Sequence, residues 1–95
     1  MFIVSLTYLC DLAKVDAHLV AHRQYLDDLY AQGKLLLSGG KKPRDGGIIL
    51  AHNVTREELN ELLTQDPFYQ QGVARYEVTE FTPRQTAENM AFLVN

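Results

Sequence analysis

The sequence contains a single cysteine, Cys10, and therefore cannot form a disulfide bond within one chain. Cys10 lies in a hydrophobic segment, which favours a small buried side chain over a chemical role. Long apolar runs are also missing, since no stretch approaches the ~18 apolar residues of a membrane-spanning helix. The apolar opening MFIVSLTYL lacks the basic leading region of a signal peptide and soon meets Asp11. These absences predict a cytoplasmic protein without a membrane partner.

Positive charge is scarce in this chain. Nine Lys and Arg residues stand against twelve Asp and Glu residues, which gives a formal net charge of −3. Nucleic acid is therefore not an expected partner, because non-specific binding to it requires a positive field. Low-complexity tracts are absent too, and 46% of the 95 residues are hydrophobic. This composition predicts one small globular domain over residues 1–95.

The hydrophobic pattern predicts the element order βαββαβ. The predicted strands are residues 2–9, 35–38, 47–51 and 73–81, and the predicted helices run from about 15 to Gly33 and from about 56 to Asp66-Pro67. This order is typical of an α+β ferredoxin-like fold, in which a four-stranded antiparallel sheet carries two helices on one face. Residues 1–83 form the predicted core, and the tail 84–95 shows no clear pattern.

Three predicted strands contain consecutive apolar residues, at 2–4, 35–37 and 48–50. Such runs are expected where both faces of a sheet are buried. Two helices cover only one face, and a bare second face would expose a larger apolar patch than soluble monomers tolerate. We therefore expect a homodimer with two sheets stacked about a two-fold axis, and the tail 84–95 can add an arm to the partner.

His22 is the one titratable residue on the apolar side of the first predicted helix. At about 100° per residue, Val15, Leu19, Leu26 and Leu29 share an arc of roughly 80° that includes His22. A buried imidazole needs hydrogen-bond partners, so His22 is either a satisfied core histidine or a functional one. His18 lies four residues earlier, but no third ligand has suitable spacing, so we expect no metal site.

Asp66 ends the second predicted helix, where a carboxylate commonly caps a turn. The two helices are neighbours on one sheet face in a βαββαβ unit, so His22 and Asp66 can meet at the sheet edge. A carboxylate that accepts one ring N–H fixes the histidine tautomer and leaves the other nitrogen to take a proton. His22 is then a candidate catalytic base and Asp66 its orienting partner; the alternative is a buried polar pair with a structural role.

The segment Ser38 to Gly47 is rich in glycine and contains three cationic side chains. It is either a solvated hairpin connection or an anchor for a carboxylate or phosphate. It matches neither a P-loop nor a dinucleotide-binding motif, and we expect no cofactor. Ser38 and Arg44 are the candidate substrate-binding residues of this segment, and Phe68 is a candidate pocket wall.

Several short motifs together resemble the YCII-related (YciI-like) protein family. They are Val15-Asp16-Ala17, Ala21-His22-Arg23 with Tyr25-Leu26, Ser38-Gly39, Pro43-Arg44, Gly46-Gly47-Ile48-Ile49-Leu50, Asp66-Pro67-Phe68, Gly72-Val73-Ala74, Tyr76-Glu77-Val78 and Glu80-Phe81. The resemblance implies a ferredoxin-like fold assembled as a dimeric α/β barrel, with an active site built on the residues that match His22 and Asp66. The sequence departs from the family pattern at Gly40, where proline is common.

One member of the family resembles a dehydrochlorinase that acts on a chlorinated muconolactone and is related in fold to muconolactone isomerase. We therefore expect a small cofactor-independent enzyme of lyase or isomerase type. In this hypothesis His22 abstracts a proton from a small anionic carbonyl or lactone compound, and Asp66 orients the imidazole. The alternative is a non-catalytic dimeric module that binds a small metabolite in the same cleft.

Overall fold

The computed structural model describes residues 1–94, in which four strands and four α-helices are followed by a 3-10 helix. The elements in chain order are β1 (Phe2–Tyr8), α1 (Leu12–Ala17), α2 (Leu19–Ala31), β2 (Leu35–Gly40), β3 (Gly46–Ala51), α3 (Arg56–Leu63), α4 (Pro67–Gln70), β4 (Ala74–Glu80) and the 3-10 helix Glu88–Leu93. All four predicted strands are present, with bounds within about two residues of those predicted.

The four strands form one sheet in the order β2-β3-β1-β4, and every neighbouring pair is antiparallel. Each βαβ unit is split, because β3 lies between β1 and β2, and β1 lies between β3 and β4. Val4 at the centre of β1 pairs with Ile49 on one side and Val78 on the other. The α+β ferredoxin-like fold is therefore confirmed.

The core lies between the sheet and the helices. Side chains of a strand alternate between the two faces, and in β1 Phe2, Val4 and Leu6 are buried on the helix-facing side. Val15 of α1 and Phe68 of α4 pack into the same cluster and are almost fully buried. This alternation defines which residues of each strand can line a site beneath the helices.

The opposite face of the sheet has an apolar part and a polar part. Ile3, Leu37, Ile48 and Leu50 lie together on this face, in register across β1, β3 and β2. Toward β4 the same face becomes polar, with Ser5 and Thr7 on β1 paired to Glu77 and Arg75 on β4. The apolar part of this face is thus smaller than expected for a sheet in which both faces are buried throughout.

The first predicted helix is two helices in the structure, and the prediction of one continuous helix is wrong. The chain leaves helical geometry at His18, whose φ and ψ are −112° and 5°, and the His18 N–H bonds the Val15 carbonyl three residues back. Asp11 begins α1 by accepting a hydrogen bond from the backbone N–H of Lys14. His22 consequently belongs to α2 alone.

The second predicted helix ends earlier than expected. α3 begins with the predicted capping box, in which Thr55 and Glu58 exchange hydrogen bonds, but it ends at Leu63. Pro67 then begins the separate helix α4, with Asp66 as its N-cap. Proline fits the first position of a helix because the N–H it lacks has no partner there. The proline therefore begins a helix instead of only ending one.

The glycine-rich segment is more ordered than its composition suggests. β2 continues through Gly40 and β3 starts at Gly46, so the connection comprises only residues 41–45. Gly40 pairs with Gly47 across the two strands. The position at which the sequence departs from the family pattern is therefore part of the sheet.

The tail contains the 3-10 helix Glu88–Leu93, in which Phe92 is 64% exposed. Phe92 and Leu93 line a groove together with Met1, His52 and Thr82. Asn95 of the predicted tail lies outside the described residues. A role of the tail in a dimer stays a prediction.

None of the helices in residues 1–94 combines the length and the apolar character needed to cross a membrane. The longest of them, α2, has 13 residues. The cytoplasmic location stays a prediction.

Gly46 provides a test of the sheet geometry. A Cβ added at this position would lie 1.8 Å from the Leu6 carbonyl oxygen. The backbone of the central strand β1 cannot move away without a large cost in free energy, because it is closely packed on both sides. We expect Gly46→Ala to lower the free energy of unfolding by about 3 kcal/mol or more, measured by urea denaturation. Gly39→Ala is the matched control on β2, since its Cβ would meet nothing within 4 Å. Equal stability of the two variants would contradict the close approach of β3 to β1 at Gly46.

Candidate active site

A cavity of about 290 Å³ lies between α2 and the helix-facing side of the sheet. Its lining includes Leu6, Leu19, His22, Arg23, Leu26, Ser38, Gly40, Arg44, Gly47, Ile49 and Phe68. Tyr8 belongs to the lining too, so the walls are mainly apolar, with an imidazole, two hydroxyls (Tyr8 and Ser38) and two guanidinium groups placed among them. This combination is typical of a site for a small molecule.

Two glycines give the cavity its floor. Gly40 and Gly47 pair across β2 and β3, and Gly47 also pairs with the helix-facing Leu6 of β1. A Cβ at Gly40 would have only the Gly46 carbonyl oxygen within reach, at 4.0 Å, so a side chain there has open space to enter. The floor therefore consists of bare backbone, which lets a ligand approach the sheet closely.

The structure brings His22 and Asp66 into contact. His22 Nδ1 lies 2.7 Å from Asp66 Oδ1, although the residues are 44 positions apart in the sequence. His22 is 8% exposed and Asp66 is fully buried. The imidazole belongs to α2, and the carboxylate belongs to the N-cap residue of α4. The position of His22 on the apolar face of its helix is thus explained by its hydrogen bond to Asp66.

Asp66 accepts hydrogen bonds from three donors. Besides His22, the Phe68 backbone N–H donates to Oδ1 at 2.9 Å, and the Tyr76 hydroxyl donates to Oδ2 at 2.6 Å. Backbone N–H and phenol donors both fit an ionised carboxylate, which can only accept. The proton between the dyad atoms then belongs to Nδ1, and Nε2 is the nitrogen with a free lone pair.

Nε2 of His22 can be reached from the cavity. Within residues 1–94 no buried side-chain nitrogen or oxygen lacks a hydrogen-bond partner. Nε2 makes no hydrogen bond to these residues, and His22 lines the cavity. Nε2 is therefore not sealed in the interior, and it is available as a hydrogen-bond acceptor for a ligand in the cavity.

Phe68 fixes the plane of the imidazole. Its ring is parallel to that of His22, with centroids 3.9 Å apart and planes 2° apart. Tyr8 in turn packs edge-on against Phe68, with centroids 6.0 Å apart. The predicted pocket wall thus lines the cavity and restricts rotation of the histidine ring as well.

Ser38 and Arg44 both line the cavity, but each already has a partner. Ser38 Oγ lies 2.7 Å from the Tyr30 hydroxyl. The Arg44 guanidinium pairs with the exposed Asp16 carboxylate of α1, and this hydrogen bond lowers the pKa of Asp16 and raises that of Arg44. Binding of an anion by Arg44 therefore requires the guanidinium to share or exchange Asp16.

Sequence reasoning missed Arg23 and Tyr76. Arg23 follows His22 directly and lines the same cavity. Tyr76 pairs with Leu6 across β1 and β4, so it faces the helices. Burial, and next the hydrogen bond to Asp66, raise the pKa of Tyr76 above its usual range. The available signal was the alternation of β4, since an inward tyrosine hydroxyl requires an acceptor.

In residues 1–94 no three His, Cys, Asp or Glu side chains are grouped so that they could hold a metal ion. His18, which has the i, i+4 spacing of a metal ligand relative to His22, lies at the boundary between α1 and α2. Nδ1 of His22 makes its hydrogen bond to Asp66.

The family model of the YCII-related domain matches residues 1–82. The chain belongs to the YCII-related domain family. The match ends before the 3-10 helix, so the tail lies outside the family domain. No curated protein matches the sequence.

A solved structure supports the fold of this YCII-related chain. It is 5-chloro-2-hydroxyhydroquinone dehydrochlorinase (TftG) from Burkholderia phenoliruptrix AC1100, in complex with 2,5-dihydroxybenzoquinone. The two chains superpose with a TM-score of 0.73 at 20% sequence identity. The match covers 84% of this chain and 91% of the other. At this identity the likeness shows a shared fold.

Removal of the buried Asp66 carboxylate tests its contribution to the stability of the fold. Asp66→Ala leaves the donors of His22, Phe68 and Tyr76 without their acceptor and removes the N-cap of α4. We expect a loss of about 3 kcal/mol in the free energy of unfolding, measured by urea denaturation. Asp27→Ala removes an exposed carboxylate from α2 and should change stability by less than about 0.5 kcal/mol. Similar values for both variants would contradict the network.

Proposed function

We propose that the chain is a small cofactor-independent enzyme of lyase or isomerase type, in which His22 is the catalytic base. Asp66 orients the imidazole, and the substrate is a small anionic carbonyl or lactone compound. The observation that carries the proposal is the hydrogen bond between His22 and Asp66 at the wall of the 290 Å³ cavity. A buried carboxylate that leaves one imidazole nitrogen facing a cavity is suited to proton transfer.

The proposed reaction begins at Nε2 of His22. A C–H bond next to the substrate carbonyl breaks, its proton binds Nε2, and its electron pair moves toward the carbonyl oxygen. The imidazolium that forms is stabilised by the Asp66 carboxylate 2.7 Å away. Return of the proton to another carbon gives isomerisation, and departure of an anionic leaving group gives elimination.

The polar groups of the cavity fit an anionic substrate. Arg23 and Arg44 place guanidinium groups in the lining, and Ser38 adds a hydroxyl. Guanidinium groups bind carboxylates and enolate-type oxygens through paired hydrogen bonds. The bare floor at Gly40 and Gly47 lets a flat molecule lie against the sheet. These groups support binding of a small planar acid with its acidic C–H bond directed to His22.

The structural neighbour supports the same class of chemistry. It is a dehydrochlorinase, an enzyme that eliminates a leaving group, and its ligand 2,5-dihydroxybenzoquinone is a small planar ring with two carbonyl groups. The shared fold therefore supports an elimination in this cavity, and isomerisation would use the same first step.

Deuterium exchange tests the proposed base without knowledge of the product. Small organic acids, lactones and 2,5-dihydroxybenzoquinone are screened by thermal shift, and exchange of an acidic C–H in D₂O is then followed by NMR. We expect the rate of enzyme-dependent exchange to fall at least about 100-fold in His22→Ala and by a smaller factor in Asp66→Asn. A bound ligand should still raise the melting temperature of both variants.

His18→Ala is the matched control, because it removes a histidine at the start of the same helix without touching Asp66. Exchange at the rate of the unaltered protein is expected for it. Loss of exchange in His18→Ala, or its retention in His22→Ala, would rule out His22 as the base. Ligand binding with no exchange in any compound would instead identify a metabolite-binding module.

We also propose that two copies associate through the open face of the sheet. Leu37 is 48% exposed there, beside the partly exposed Ile3, Ile48 and Leu50. A second copy about a two-fold axis would cover these side chains with the same set. The polar residues toward β4 would then lie at the rim of the interface.

Sedimentation of single-site variants tests the dimer. We expect the unaltered chain to sediment as a dimer at micromolar concentration, and Leu37→Glu to sediment as a monomer, because it buries a charge in the interface. Val20→Glu is the control, since Val20 on α2 is 78% exposed on the helical side. A monomeric unaltered chain, or a dimer in Leu37→Glu, would refute the proposed interface.

A further inference from the structure

Tyr76 is not part of the cavity lining, and its hydroxyl donates to Asp66 Oδ2 at 2.6 Å. We propose that Tyr76 is a positioning residue that limits how strongly Asp66 draws the proton of His22. The inference rests on the proposed function for its catalytic meaning, while the contact itself stands on geometry. It assigns to β4 a part in a site otherwise built from α2 and α4.

The two carboxylate oxygens have different donors. Oδ1 accepts from His22 Nδ1–H and from the Phe68 backbone N–H, and Oδ2 accepts from Tyr76. The Phe68 bond is local, two residues along the chain, and holds the carboxylate in its capping position. Tyr76 therefore provides the contact to Asp66 that comes from the sheet, and it restrains rotation of the carboxylate about its own axis.

The hydroxyl also changes the charge that His22 experiences. A hydrogen bond to a carboxylate stabilises its ionised form and lowers its affinity for a proton. Without the Tyr76 hydroxyl, Oδ2 would be left desolvated, and the fully buried carboxylate would attract a proton on the imidazole more strongly. More of the histidine would then be protonated at neutral pH, and a protonated imidazole cannot act as a base.

Tyr76 remains a donor at the pH values where enzymes work. Burial and the hydrogen bond to Asp66 both raise the pKa of its phenol. The other titratable or charged groups around the dyad are Tyr25 on α2, Tyr69 on α4, Tyr8 on β1, and Arg23 and Arg44 in the cavity lining. None of these side chains donates to Asp66, so the Tyr76 bond can be removed alone.

Tyr25 offers a matched control for that removal. Its ring centroid lies 6.4 Å from that of His22, and its hydroxyl donates to the Leu62 carbonyl at 2.7 Å. Tyr25→Phe and Tyr76→Phe therefore each delete one partly buried tyrosine hydroxyl beside the dyad. Only Tyr76→Phe takes a donor from the carboxylate.

The test is an NMR titration of the His22 imidazole from about pH 5 to 9. His22→Gln assigns the resonance, and His18 and His52 in the same spectra serve as internal references. We expect the His22 midpoint in Tyr76→Phe to move upward by about half a pH unit to one unit, because the carboxylate has lost a donor. The midpoint in Tyr25→Phe should stay within about 0.2 units of the unaltered protein.

An unmoved or lowered midpoint in Tyr76→Phe would overturn the inference, and so would an equal shift in Tyr25→Phe. The inference would also be overturned if His22 kept one protonation state over the whole pH range in both the unaltered protein and Tyr76→Phe. If Tyr76→Phe fails to fold, the Tyr76 hydroxyl proton is observed directly in the unaltered protein. It should give a downfield, slowly exchanging resonance. In Asp66→Asn this resonance should disappear or lose its downfield position. An exchange-averaged hydroxyl in the unaltered protein contradicts the contact.

The titration separates this inference from the proposed function, since it requires no substrate. A midpoint shift without any C–H exchange would support the effect of Tyr76 on the protonation of His22, but it would not support the proposed enzymatic function. C–H exchange with no midpoint shift would support the base and refute the role of Tyr76.

Discussion

The hydrogen bonds of the Asp66 carboxylate are the interaction on which the site depends. They join an imidazole from α2, a backbone N–H from α4 and a phenol from β4 around one fully buried charge. An isolated carboxylate in such a place would cost several kcal/mol, and three donors offset that cost. The same contacts begin α4, which in turn stacks Phe68 on His22. The start of α4 and the orientation of the His22 ring thus depend on the same carboxylate.

The fold could be predicted from the sequence because its elements carry strong local signals. The alternation of β1, the capping box at Thr55 and the glycine after α2 each reflect a physical requirement of one segment. The break at His18 could not be predicted, since nothing in the residues around it disfavours a continuous helix. Pro67 has two opposite meanings for a helix, and only the position of Asp66 shows that it starts one.

Part of the candidate site could also be predicted from the sequence, but for a different reason. His22 conflicts with the apolar arc around it, and such a conflict between residue type and position indicates function or a specific partner. Asp66 was found through the topology that makes the helices neighbours. Tyr76 does not conflict with its position, because aromatic residues are common in β-strands, and so its residue type alone does not indicate a functional role. Distances between residues this far apart in sequence require the folded chain.

The cavity floor has a consequence for how such a site can diversify. At Gly40 and Gly47 the sheet presents only main-chain atoms toward α2, and a Cβ at Gly40 has free space above it. Each methylene group introduced at Gly40 would reduce the cavity volume while leaving the His22–Asp66 pair and its donors in place. The room in the cavity and the geometry of the His22–Asp66 pair are therefore set by separate parts of the chain, so that one can change while the other is kept.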